Sequence, residues 1–173
     1  MLVSGLVVAG VDLYSFYMPI YGHSIGLSAT MIGVVLGAFA TATFVVRTTL
    51  PLLVRRWGDD RVMTASMILA GLTFLLFPFV HQFVVLLLLS FVLGLGLGVG
   101  QPLSLIMTYN RAPAGRAGEA LGLRFSVVNL THMAIPLAFG TIGSALGLIT
   151  VFLANSALML GAGYAHHRGS RKG

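Results

Sequence analysis

The sequence predicts an all-α membrane protein of six transmembrane helices, and three observations carry that prediction. Only 8% of its 173 residues are charged while 57% are apolar, whereas a water-facing domain carries about 25% charged residues. The stretches free of Lys, Arg, Asp and Glu, Leu13–Val46, Val62–Asn110 and Phe125–His167, are long. A helix needs about 20 mostly apolar residues to cross a bilayer, and the last two stretches each hold two such lengths. The breaks between them are short and carry turn chemistry. The segments are too long and too unalternating for barrel strands, which leaves helices as the spanning form.

The first span covers approximately Leu2–Tyr21. It has no charged leader and further spans follow, so it reads as a retained helix rather than a signal peptide. "GHSIG" ends it, and the second span runs Ser28–Val54 to the loop "RRWGDDR". The third, Val62–Val80, closes at "VHQ", and the fourth is Phe83–Thr108. After "NRAPAGRAG" the fifth, Gly118–Gly140, opens with Glu119, an acid favoured at a helix N-terminus. "TIGSALG" separates it from the sixth, Ser144–His166. "GLSATMIG" (Gly26–Gly33) and "GRAGEALG" (Gly115–Gly122) each lead into the second helix of a three-helix group. Residues 1–173 therefore read as one domain: a first repeat over 1–80, a second over 81–167 in inverted topology, and a basic tail over 168–173.

Charge sets the orientation. Arg55, Arg56 and Arg61 lie between spans two and three, Arg111 and Arg116 between four and five, and Arg168, Arg171 and Lys172 in the tail. The other three connections hold no Lys or Arg, which places both termini in the cytoplasm. The net charge of +6 is topological, and nucleic-acid binding does not follow from it. The absence of cysteine excludes disulfides, thiol nucleophiles and thiolate metal sites.

In "FVLGLGLGVGQPLSL", Gly94, Gly96, Gly98 and Gly100 recur at every second position. This is neither a dinucleotide fingerprint nor a phosphate loop, and no Lys, Asp or Glu lies between Arg61 and Arg111. In a helix the spacing makes two overlapping G-x-x-x-G patterns, the small-residue seam by which membrane helices approach closely. Pro102 removes one backbone donor and favours a bend there. Gly33 and Gly37 form a similar pair in span two.

Apart from Glu119 at the opening of span five, Asp12 is the one acid inside a span. Retaining it costs about 2.5–3.5 kcal/mol on insertion scales, so it is expected to face a cavity or a partner. Proton coupling or cation recognition is the functional reading, and a structural ion pair with Arg47 or Arg124 the plainer one. Ser4, Asp12, Ser15 and Pro19 fall on one helical face. Arg47 and Arg124 each lie about two turns inside the cytoplasmic boundary, where snorkelling to the headgroups competes with binding of an anionic substrate. Gln101, Asn129, His132 and Asn155 are polar positions within spans, suited to a cavity wall or to interhelical hydrogen bonds. Asn129 and His132 share a face, and His132 is a candidate proton carrier. Tyr14, Tyr17 and Tyr21 read as interfacial belt residues or, for a ligand, stacking ones.

"GLSATMIGVVLGAFATATFVVRTTLPLLVRRWGDDRVM" (Gly26–Met63) resembles the second span and following loop of a major facilitator superfamily half, whose loop motif reads approximately G-x-L-a-D-r-x-G-r-r-x-x-l. Pro51 takes the place of the first glycine, Arg55 of the aspartate, Arg56 of the basic residue and Gly58 of the second glycine. Asp59 and Asp60 stand where basic residues are usual, and Arg61 follows. "NRAPAGRAGEALGLRFSVVN" (Asn110–Asn129) resembles the loop into the eleventh span. The resemblance implies a C-terminal six-helix half of a twelve-span secondary transporter of the bacterial inner membrane. It implies a small-molecule substrate held between two bundles, alternating access, proton-coupled efflux and no bound cofactor. The partner would be the missing N-terminal half or a second copy of the chain. Two alternatives differ in class: a membrane scaffold that moves no solute, and a six-span intramembrane protease, for which the Gly-x-Ser-Gly site is absent.

Overall fold

A computed structural model describes the backbone of residues 2–113 and 115–170, with side chains described except at 2–4, 135–138, 141–146, 148, 167, 169 and 170. Met1, Arg171, Lys172 and the Ser4 side chain thus lie outside the described residues. Six α-helices follow one another: α1 Leu2–Ser24, α2 Ala29–Trp57, α3 Asp59–Leu76, α4 Phe83–Asn110, α5 Ala117–Leu146 and α6 Leu148–Ser170, with a 3-10 turn Phe77–Phe79 after α3. No strand occurs among the described residues.

The ends have local causes. Ser28 caps α2, its hydroxyl accepting from the Met31 amide at 3.3 Å. Arg55 and Arg56 close the last turn of α2, and Asp59 and Asp60 open α3. Each charge opposes the partial charge of its own helix end, which gives the acids a local role where the family motif has bases. Between these helices stands Gly58 alone, at φ 80° and ψ 155°, a conformation open essentially to glycine. The α5–α6 break falls later than the sequence predicts. Residues 141–146 continue α5, and the chain turns at Gly147, φ +86°. Gly143 stays within the helix, and the chain turns at the second glycine, Gly147, where φ is positive.

Four segments, Ala29–Trp57, Asp59–Phe79, Phe83–Asn110 and Ile149–His166, are long and apolar enough to cross a membrane. The other two helices, α1 and α5, carry Asp12 and the Arg124, Asn129 and His132 series.

Helix α4 is central and touches α1, α2, α3 and α5, while α3 pairs with α6 and α1 with α5. The alternating glycines serve three neighbours. A Cβ on Gly94 would meet the Phe39 carbonyl and Ala42, and one on Gly98 would meet Val46 and Thr43, all on α2. On Gly96 it would lie 3.0 Å from the Ser66 carbonyl of α3, and on Gly100 it would strike Val7 of α1. Close backbone approach is what small residues give membrane helices in place of a hydrophobic driving force. Gly33 and Gly37 depart from the expected seam: both are exposed, with open space where a Cβ would stand.

The tyrosines also differ from expectation. Tyr14 is fully buried, its ring stacked on Phe39 at 4.5 Å, and Tyr21 is buried with its hydroxyl donating to the Val80 carbonyl at 2.9 Å. Tyr17 donates to the Phe139 carbonyl at 2.7 Å. Positions 14, 17, 18 and 21 form one helical stripe, and that stripe faces the bundle rather than the interface.

Candidate functional site

The polar groups of the spans gather at two places on the α1–α2–α4–α5 side. At the first, Asp12 of α1 meets His132 of α5, with Oδ2 and Nδ1 2.5 Å apart. The Asp12 side chain is 20% exposed and that of His132 44%, so the pair is half-open rather than sealed. This replaces the expected ion pair of Asp12 with Arg47 or Arg124. Ser15 and Asn129, near the two ends of the pair, are exposed. Tyr17 lies one turn beyond Asp12, tying α1 to α5 through Phe139.

At the second, α2, α4 and α5 border an open cavity of about 280 Å³ lined by Arg47, Gln101, Pro102, Leu105, Arg124 and Phe125. Arg47 is exposed and its Nε donates to the Gly98 carbonyl at 3.4 Å. The approach of α2 permitted by Gly98 is what brings that carbonyl within reach. Arg124 is only 5% exposed, so it does not snorkel to the headgroups as expected. Its Nη2 donates to Ser104 Oγ at 2.8 Å and to the Gln101 carbonyl at 3.3 Å, while Nε is buried without a hydrogen-bond partner. Its guanidinium carbon stands 5.6 Å from the centre of the Phe125 ring. Arg47, Gln101 and Arg124 come from three helices into one wall, and Arg124 and His132 lie just over two turns apart along α5.

Sequence reasoning missed Ser104, Leu105 and Phe125. Ser104 sits three residues after Gln101, on the same helical face, and that spacing is the signal that points to it. Asn155 of α6 is buried away from both places, with neither amide atom hydrogen-bonded.

The loop motif is separate from the cavity. Pro51 lies within α2, exposed. Arg55, Arg56 and Arg61 are exposed as well. Asp60 accepts from Arg111 Nη2 at 2.7 Å, and His166 Nε2 stands 3.5 Å from the same carboxylate oxygen. Thr64 and His166 Nδ1 share a further hydrogen bond of 3.0 Å, so α3, α4 and α6 are joined at one end of the bundle. Among the described residues, no group of His, Cys, Asp and Glu could hold a metal ion.

A family model described as Major Facilitator Superfamily matches residues 1–166. No curated protein matches the chain.

Proposed function

The chain belongs to the Major Facilitator Superfamily, and from that premise we propose that it is half of a twelve-span secondary transporter moving a small molecule by alternating access, as proton-coupled efflux. Members of this family are membrane transporters rather than enzymes, so the protease alternative has no support. The chain is an integral, multi-pass membrane protein whose family implies a small-molecule substrate.

The observation that carries proton coupling is the Asp12–His132 pair. A carboxyl group faces an imidazole, the two bridge two helices, and both side chains remain partly open. A proton on His132 strengthens its attraction to the Asp12 carboxylate and a proton on Asp12 weakens it, so proton occupancy of the pair biases the α1–α5 contact. A charge retained within a span at a cost of kilocalories points to such a role.

Six spans in two inverted repeats, 1–80 and 81–167, extend the same reading. In its favour, the helix pairs in contact map onto one another when α1 exchanges with α4, α2 with α5 and α3 with α6. The exposed Phe16, Phe44, Leu130 and Met133 offer an apolar surface to a second bundle, either an N-terminal half or another copy. The Arg-bearing connections favour a reading with both termini in the cytoplasm, and the proposal sets the chain in a bacterial inner membrane.

The test is movement of anionic fluorescein and cationic ethidium into proteoliposomes under an imposed pH gradient. Gradient-driven movement of one dye, lost in Asp12→Asn with insertion unchanged, is the expected result. Movement that ignores both the gradient and the substitution would overturn proton coupling at this pair.

A further inference from the structure

We infer that the cavity between α2, α4 and α5 binds the anionic group, a carboxylate or a phosphate, of the transported solute. The inference rests on the transport reading and adds the charge of the substrate.

Charge accounting carries it. The chain holds four acidic residues in all. Asp12 pairs with His132, Asp60 with Arg111, and Glu119 with Arg116, while Asp59 opens α3 at the end of the bundle. Among the described residues no acid bridges Arg47 or Arg124. Two guanidinium groups therefore line one cavity with no counter-charge from the described chain. A buried charge without a partner is costly, and an arriving anion removes that cost.

Arg124 is built to receive one. Its Nη2 is anchored by Ser104 and the Gln101 carbonyl, which fixes the plane of the fork, and its Nε donor is left unused and buried. A fixed guanidinium matches carboxylate and phosphate oxygens in two-point geometry. Arg47 supplies the second positive charge and holds only a long 3.4 Å bond to a carbonyl, one that an anion readily outcompetes. Pro102, Leu105 and Phe125 give the same cavity an apolar wall for the body of an organic anion.

Depth separates a solute from a lipid headgroup. Gln101 lies nine residues before the α4 end at Asn110, and Arg124 seven after the α5 start at Ala117. At 1.5 Å per residue these are about 10–14 Å inside the bundle. The volume of about 280 Å³ suits a small anion.

The test is calorimetric titration of the full chain in nanodiscs of zwitterionic lipid with benzoate, inorganic phosphate and, as a cationic control, tetraethylammonium. Saturable binding of at least one anion and none of the cation is expected. Arg124→Gln should weaken that binding about tenfold or more, the order of one charge-assisted contact. Arg124→Lys should restore only part, because a point charge lacks the fork. Arg47 is exposed, so Arg47→Gln keeps the fold and should weaken binding severalfold; it decides the matter if Arg124→Gln does not fold. Wild-type protein that takes neither anion, as it would if an acid of the partner bundle filled the cavity, overturns the inference. So does equal binding of the cation, or wild-type affinity in both glutamine variants. Asp12→Asn should keep anion binding while losing gradient-driven dye movement. Anion binding without any dye movement would sink transport by copies of this chain alone and leave this site standing; dye movement without anion binding would do the reverse.

Discussion

Asp12 Oδ2 and His132 Nδ1 stand 2.5 Å apart, joining α1 to α5 across 120 residues of sequence. Neither side chain has another ionic partner among the described residues. Groups that act as one unit are non-additive on removal. Asp12→Asn and His132→Gln should each abolish gradient-driven movement, and the double variant should be no worse than either single one. The vesicle dye assay measures this as a double-mutant cycle. Effects that multiply would show that the two residues serve separate steps.

The glycine seam predicts opposite outcomes for identical substitutions. Gly94→Ala and Gly98→Ala drive a methyl into α2 backbone and side chains, at Phe39 and Ala42 in one case and at Thr43 and Val46 in the other. Overpacking of that kind costs about 1–3 kcal/mol. Gly33→Ala and Gly37→Ala meet open space and should change stability by less than about 0.5 kcal/mol. Thermal melts of the four variants in one detergent make the comparison. Pushing α2 away at Thr43 and Val46 also shifts the neighbouring Arg47 off the cavity wall, so Gly98→Ala should weaken anion binding as well.

The tyrosine stripe of α1 is a core feature, and its hydroxyls are anchors. Tyr21→Phe removes the donor to the Val80 carbonyl while keeping the ring against Phe152 at 5.6 Å. A loss of about 0.5–1.5 kcal/mol is expected for one such hydrogen bond. Tyr14→Ala removes a fully buried ring stacked on Phe39 and edge-on to Phe77 and should cost about 3–5 kcal/mol, as large aromatic truncations do. Melts that leave Tyr14→Ala near wild type would return the stripe to the lipid interface.

The order of the helices and most of their ends were legible because apolar length and turn residues are local signals. The α5–α6 turn falls later than the sequence predicts because Gly143, which reads as a turn signal, stays helical and Gly147 takes the positive φ. Which face of a helix is inward was not legible. In a bilayer both faces are apolar, so the contrast that marks a buried stripe in a soluble helix disappears, and Tyr14 and Tyr21 read as belt residues. The G-x-x-x-G spacing of Gly33 and Gly37 equals that of Gly94 and Gly98, yet only the second pair meets a neighbour. Spacing states what a helix can offer, not what packs on it. Asp12, Arg47, Gln101, Arg124 and His132 stood out because charge and amide groups within a span are costly. Their division into a proton-exchanging pair and a cation-lined cavity depends on contacts between distant segments, which no local pattern encodes.

The junction at the far end of the bundle should matter less to stability than its hydrogen-bond count suggests. Asp60 accepts from Arg111 at 2.7 Å, but the Arg111 side chain is 62% exposed and that of Asp60 32%. Water and salt screen such a pair, and exposed pairs are worth about 0.2–1 kcal/mol. Asp60→Asn should therefore lower stability by less than about 1 kcal/mol, and 1 M salt should erase most of the difference because the screening length falls to about 3 Å. Part of the loss is the helix-end interaction, since Asp60 lies in the first turn of α3. Arg111→Gln, which leaves that acid in place, should cost less than Asp60→Asn. Melts at low and high salt check both statements. A salt-independent loss above 2 kcal/mol would mean that Asp60, Arg111 and His166 form a buried latch in the assembled protein, covered by the second bundle.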